Sequence, residues 1–104
     1  MSRGHDRERA VKALMEKDDW FVVRAAGSLG DADLVALRDG NRPRLIEVKS
    51  TAGGPYERFG PADRAVLKQA AFIAGAEAWL VWWPPRAKPT WIEASAWPAA
   101  KGSA

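Results

Sequence analysis

The sequence predicts an α/β domain, a mixed β-sheet flanked by helices with the element order α-β-β-β-α-β-β. Two stretches carry apolar residues at helical spacing between charged ones, and five short runs are rich in β-branched and aromatic residues. Glycine and proline punctuate the junctions between them. With 104 residues there is room for one core, so a single domain over 1–97 is expected, with a frayed tail over 98–104.

The first helix runs from Ser2, a plausible cap, to about Lys17, with Ala10, Val11, Leu14 and Met15 on its apolar side. Trp20 to Arg24 reads as a short strand, and Ala25 to Gly30 as a loop of small residues. Asp31 to Leu37 and Arg44 to Lys49 are two further strands. Asp39-Gly40-Asn41 between them is hairpin chemistry, so the pair should be antiparallel. Ser50 to Pro61 holds Gly53-Gly54-Pro55 and Gly60-Pro61 and reads as a mobile loop. A second helix follows over Ala62 to Ala74, its spacing marked by Val66, Ala70, Ile73 and Ala74, and Gly75 ends it. Ala78 to Trp83 is continuously apolar, the pattern of a strand buried on both faces, and Pro84-Pro85 stops it. Thr90 to Glu93 is the last strand.

Composition excludes several classes of function. No apolar run approaches the ~20 residues of a spanning helix, and the charged N-terminus does not build a signal peptide, so a cytoplasmic protein is expected, in the host cytoplasm if a phage encodes it. The absence of cysteine removes disulfides, thiolate zinc sites and cysteine nucleophiles, and one histidine cannot build a histidine cage. Any metal must be held by oxygen. The formal charge of +3 leans weakly toward a polyanionic partner. Six tryptophans, five of them in the last 26 residues, are much apolar surface for a small monomer to hide.

The chemistry centres on one strand. Residues two apart share a strand face, so Glu47 and Lys49 project together while Ile46 and Val48 point to the other side. Across the hairpin, Asp33 falls roughly opposite Glu47, with a register one residue away the alternative. Two carboxylates meeting across a sheet repel unless a cation stands between them. Mg²⁺ suits such a site, since it takes one or two carboxylates and keeps several waters. Lys49 beside it would lower the pKa of an attacking water or stabilise charge on a phosphate. A bare Glu-x-Lys triplet is more often a solvated pair on an edge strand; the hairpin partner Asp33 and the helix carboxylate Glu8 lift it above that.

Taken in order, Arg3-Gly4, Glu8-Arg9, the run from Val22 to Ser28, Asp33-Leu34-Val35-Ala36 and Ile46-Glu47-Val48-Lys49-Ser50 are similar in kind and spacing to archaeal-type Holliday junction resolvases of the PD-(D/E)xK nuclease superfamily. The resemblance covers about residues 3 to 83. It implies a restriction-endonuclease-like fold and a Mg²⁺-dependent endodeoxyribonuclease, with Mn²⁺ able to substitute and no small-molecule cofactor. The implied substrate is a four-way DNA junction, cut by a homodimer. By the resemblance Glu8, Asp33 and Glu47 are catalytic acids that hold the metal, and Lys49 is the catalytic lysine. Arg9, Arg24 and Ser28 support DNA binding and cleavage. Ala32 replaces the nominal proline, Asp31 shares a strand face with Asp33 and competes for its role, and beyond Phe72 only a hydrophobic pattern matches. A related nuclease acting on flaps, mismatches or duplex DNA, and a non-catalytic DNA-binding module on the same fold, are the alternatives.

Other residues stand on their own chemistry. Arg3, Arg7 and Arg9 read equally as a phosphate-contacting cluster or as a solvated face interleaved with Asp6 and Glu8. Glu8 without the resemblance would be a surface carboxylate pairing with Lys12. Tyr56, Arg58 and Phe59 combine rings with a cation and suit unstacked bases, or belong to an idle loop. Phe72, Trp82 and Trp83, with Ala70 and Ile73, suit a dimer interface better than a stacking platform, because their surroundings are apolar. His5 is given no role.

Overall fold

The computed structural model describes residues 3–25 and 32–99. Ser2, the loop residue Ser28 and the competing Asp31 lie outside them, as do the side chain of Arg3 and the tail beyond 99. Helix α1 (Arg3–Lys17) places Asp6 in its first turn and Lys17 in its last, each charge complementing the helix dipole. It buries Val11 and Met15 against one face of the sheet. Strands β1 (Phe21–Arg24), β2 (Leu34–Leu37) and β3 (Arg44–Lys49) form an antiparallel meander. Gly40 turns the hairpin with φ +80°, a conformation that disfavours a side chain.

From β3 the chain crosses through α2 (Pro61–Ala74) to β4 (Glu77–Trp82), which lies parallel to β3, and β5 (Thr90–Glu93) adds antiparallel at the edge. The sheet order is β1-β2-β3-β4-β5, mixed as expected. The alternation of β3 and β4 divides the apolar residues into two cores. Ile46, Val48 and Val81 join α1 on one side, and Ala78 and Leu80 join Leu67 and Ala71 of α2 on the other.

Several details depart from the sequence reading. Trp20 precedes β1 rather than starting it, yet is buried in the first core. The β2 ladder begins only at Leu34, and β4 is shifted back by one residue. Helix α2 ends at Gly75 in the left-handed region, φ 64°, as predicted, but buries Arg64, Leu67 and Ala71. Val66, Phe72 and Ile73 face outward at 50%, 83% and 74% exposure, so the stripe read as apolar packing is the free one. The loop after β3 is tied down. Its Phe59 is 2% exposed and meets the Trp97 ring edge to face at 5.0 Å, while Arg64 donates to the Phe59 carbonyl at 2.7 Å. Phe59 is therefore a core residue and not a base-stacking one.

The fold absorbs its tryptophans by covering them with cations. Arg38 and Arg44 lie 4.3 and 4.5 Å over Trp20, Arg44 also lies 4.5 Å over Trp79, and Arg7 lies 4.5 Å over Trp83. Trp83 packs against the first core, and Trp82 donates its indole N–H to Thr51. Trp82 and Trp83, expected at a dimer interface, are each half-buried within their own chain, one bonded to Thr51 and the other covered by Arg7. Among the described residues no helix is long and apolar enough to cross a membrane.

Candidate active site

The site lies on the α2 side of the sheet, beyond the N-terminal end of that helix, whose C-terminal end packs at the start of β3 and β4. On β3, Leu45, Glu47 and Lys49 share this face; Leu45 meets the second core, while the two polar residues lie toward the end of the strand. This is the carboxyl end of a parallel pair joined by a helix, where open α/β sheets place their ligand crevices.

The ladder pairs Leu34 with Ile46 and ends there, so Asp33 lies just outside it, beside Ile46 and Glu47. The Asp33 amide also donates to the Ile46 carbonyl at 2.9 Å, so two consecutive residues address one partner residue, as in a β-bulge. Having left the regular ladder there, Asp33 uses its carboxylate to accept the Val48 amide at 2.8 Å. The Asp33 carbonyl accepts from Ala25 at 2.9 Å, so the end of β1 is held to the same point. Asp33 is thus clamped by three hydrogen bonds, to Ala25, Ile46 and Val48.

Glu47 meets both neighbours. Lys49 Nζ lies 3.2 Å from its Oε2, and Asp33 is near enough for its negative charge to act on the same carboxyl. The Glu47 carboxyl is pushed up to about 7, first by burial and then by the negative charge of Asp33, with Lys49 pulling it partly back. Two hard oxygen donors are held together here, and burial, with the charge of Asp33 second, keeps the proton on Glu47 near neutrality. A divalent cation would remove that conflict, so the donor set fits a hard metal ion.

Other expected members stand further off. Glu8 is only 14% exposed and pairs with Arg24 at 3.4 Å, while Lys12 pairs with Glu16 at 2.6 Å instead of with Glu8. Among the described residues no three carboxylates or imidazoles are grouped as metal ligands, so Glu8 does not join the Asp33 and Glu47 pair. Arg24 pairs with Leu34 on the face that packs against α1, so the Glu8 and Arg24 pair lies on the other side of the sheet from Glu47 and Lys49. Arg9 is exposed beside Asp6, 3.6 Å away, and Arg7 is turned onto Trp83 rather than joined to a phosphate-facing cluster. Arg58 is exposed, whereas Tyr56 is half-buried with Arg64 5.2 Å from its ring. Thr51, missed by the sequence reading, is buried beside the site and bonded to Trp82; only its position two residues after Lys49 marked it.

A mixed sheet that presents Asp33, Glu47 and Lys49 on one face, at the end of a βαβ crossover, has the arrangement of a PD-(D/E)xK nuclease. Comparison with known proteins narrows the class. A family model described as archaeal Holliday junction resolvase (Hjc) matches residues 1–97, and the chain belongs to that family. The crystal structure of Hjc from Archaeoglobus fulgidus, a Holliday junction resolvase, superposes with a TM-score of 0.81 at 26% identity, covering 96% of this chain and 80% of that one. The crystal structure of SSO0001 shares the fold, with a TM-score of 0.56 at 14% identity, over 86% of this chain and 49% of that one. No curated protein sequence is matched.

Proposed function

We propose that this chain cleaves four-way DNA junctions as a Mg²⁺-dependent endonuclease. The observation that carries the reading is the contact of Asp33 with Glu47, with the Lys49 ammonium on the second carboxylate. Family membership supplies the substrate class. Asp33 and Glu47 would hold Mg²⁺, or Mn²⁺ in its place, which when bound would supply Lewis acidity and a water more acidic than bulk water. The Asp33 clamp fixes one donor before any ligand arrives, so little reorganisation is needed. Lys49 presents a positive charge where negative charge develops on a phosphate under attack. Glu8, through its ion pair, orients Arg24 toward the backbone of the DNA.

Arg9, Arg24 and Arg58 supply phosphate contacts at the rim, and Tyr56 lines the loop beside them. Arg3 and Ser28 enter this reading through the family resemblance alone. The protein acts as a homodimer, which gives each opposed strand of a junction its own site. Of the residues expected at that interface, Phe72 is the one whose exposure suits it, together with Val66 and Ile73 on the free face of α2. Phe72→Lys should convert the dimer to monomer at micromolar concentration by placing a charge in an apolar contact, as read by light scattering. A variant that remains dimeric removes α2 from the interface.

Asp33→Asn and Lys49→Ala should each lower the cleavage rate by at least about 100-fold, since they remove groups aimed at the reacting phosphate. Junction affinity should change only a few-fold, because most contacts that give affinity are made to the phosphate backbone. Gel-shift and single-turnover assays on one labelled junction separate the two effects. Near wild-type cleavage by either variant would refute the assignment.

A further inference from the structure

Trp82 is the register partner of Lys49 on the parallel neighbour strand, and the two side chains share a sheet face. Beyond Lys49 the chain leaves the sheet, and a strand end of this kind frays unless something holds it. Trp82, the last residue of β4, and Trp83, just after it, do so. The Trp83 amide donates to the Lys49 carbonyl at 2.8 Å, and the Trp82 indole N–H donates to the Thr51 carbonyl at 2.9 Å and hydroxyl at 3.1 Å. Thr51 is buried, and its hydroxyl in turn donates to the Gly54 carbonyl at 2.6 Å, so one oxygen both accepts and donates. The following turn is closed by Glu57, whose carboxylate accepts from the Gly53 amide at 2.6 Å. That contact depends on glycine, since a Cβ at position 53 would collide with the same carboxylate. The result is a strap over residues 51–57, hinged on Trp82 and leading to Arg58.

Resting on the nuclease reading above, we propose that Trp82 is a positioning residue for cleavage. By fixing Thr51 it fixes the backbone on which Lys49 ends, and it holds the strap at the edge of the site. It acts through Thr51 and Lys49 and touches no reacting atom. An indole suits the task because its apolar body lies on the sheet while a single donor reaches the loop.

The test is single-turnover cleavage of a fixed four-way junction at saturating protein and Mg²⁺, below the unfolding midpoint of every variant. Trp82→Phe keeps the aromatic body and loses the donor; Thr51→Val keeps the shape and loses the hydroxyl. Each should cleave about tenfold more slowly, the scale on which sub-ångström misplacement of a reacting group acts, with junction Kd within about threefold of wild type. Thr51→Ser, which retains both hydroxyl contacts, should restore most of the rate that Thr51→Val loses. A purely structural role would lower the active fraction and leave the rate of the folded protein alone. Amide exchange at Gly53 should also quicken in Trp82→Phe. Wild-type cleavage matched within twofold by both slow-predicted variants would overturn this proposal and leave the nuclease reading standing. A wild-type protein that leaves the junction intact would overturn both.

Discussion

Glu47→Gln is expected to lose junction cleavage while making the metal-free protein more stable, and the two effects share one cause. In the folded chain the Glu47 carboxyl is raised from 4.5 to about 7 by burial and by Asp33. A raised carboxyl binds more protons folded than unfolded, so its charged form opposes folding. The penalty is absent below the unfolded pKa, grows as pH rises through the folded value, and is complete above it. Roughly 3 kcal/mol corresponds to such a shift, and the loss of the Lys49 partner offsets part of it. A neutral glutamine should therefore stabilise the metal-free protein by about 2 kcal/mol at pH 8 and by little at pH 5, measured by urea denaturation in EDTA. Mg²⁺ should stabilise the wild type increasingly as pH rises past 7, because the ion replaces a proton on Glu47, and should do nothing comparable for Glu47→Gln. Equal stability of the two proteins at pH 8 would contradict the crowded-carboxylate account.

Phe59→Ala is expected to cost about 3–5 kcal/mol, the range for removing a buried aromatic side chain and leaving a cavity. Phe59 is almost fully enclosed and meets edge to face the ring of Trp97, whose indole donates to the Ile92 carbonyl at 3.0 Å. Removing it unseats the loop from α2 and Trp97 together. For a domain whose whole stability is of the order of 5–15 kcal/mol, the urea midpoint should fall by about a fifth or more. A loss below about 1 kcal/mol would show that the loop is not a working part of the second core.

The strand pattern and the site were the legible parts, because both follow from short-range rules. Alternation alone placed Glu47 and Lys49 on one face opposite Ile46 and Val48, and the Asp39 to Asn41 turn set Asp33 across from them. The bulge at Asp33 was not legible. It depends on which amide reaches Ile46, and no residue type marks it. Helix α2 shows the limit of periodicity: Leu67 and Ala71 lie at helical spacing, and so do Val66, Ala70 and Ile73. Only the position of the sheet decides which stripe is buried, and the buried one includes Arg64. The tryptophans misled for a related reason. Counting apolar rings implies exposed surface, whereas Arg7, Arg38 and Arg44, distant in sequence from the rings they cover, convert three of them into cation-stacked faces. Glu8 was recognised by resemblance, and its ion pair with Arg24, sixteen residues away, was beyond any local pattern.

The most direct measurement of the central claim is incubation of the purified protein with a fixed four-way junction, with its component duplexes and with a flap, each in Mg²⁺ and in EDTA. The account predicts paired nicks on opposed strands of the junction in Mg²⁺, none in EDTA, and duplexes left intact under the same conditions. A junction that survives in Mg²⁺, or duplexes cut as fast as the junction, would contradict it.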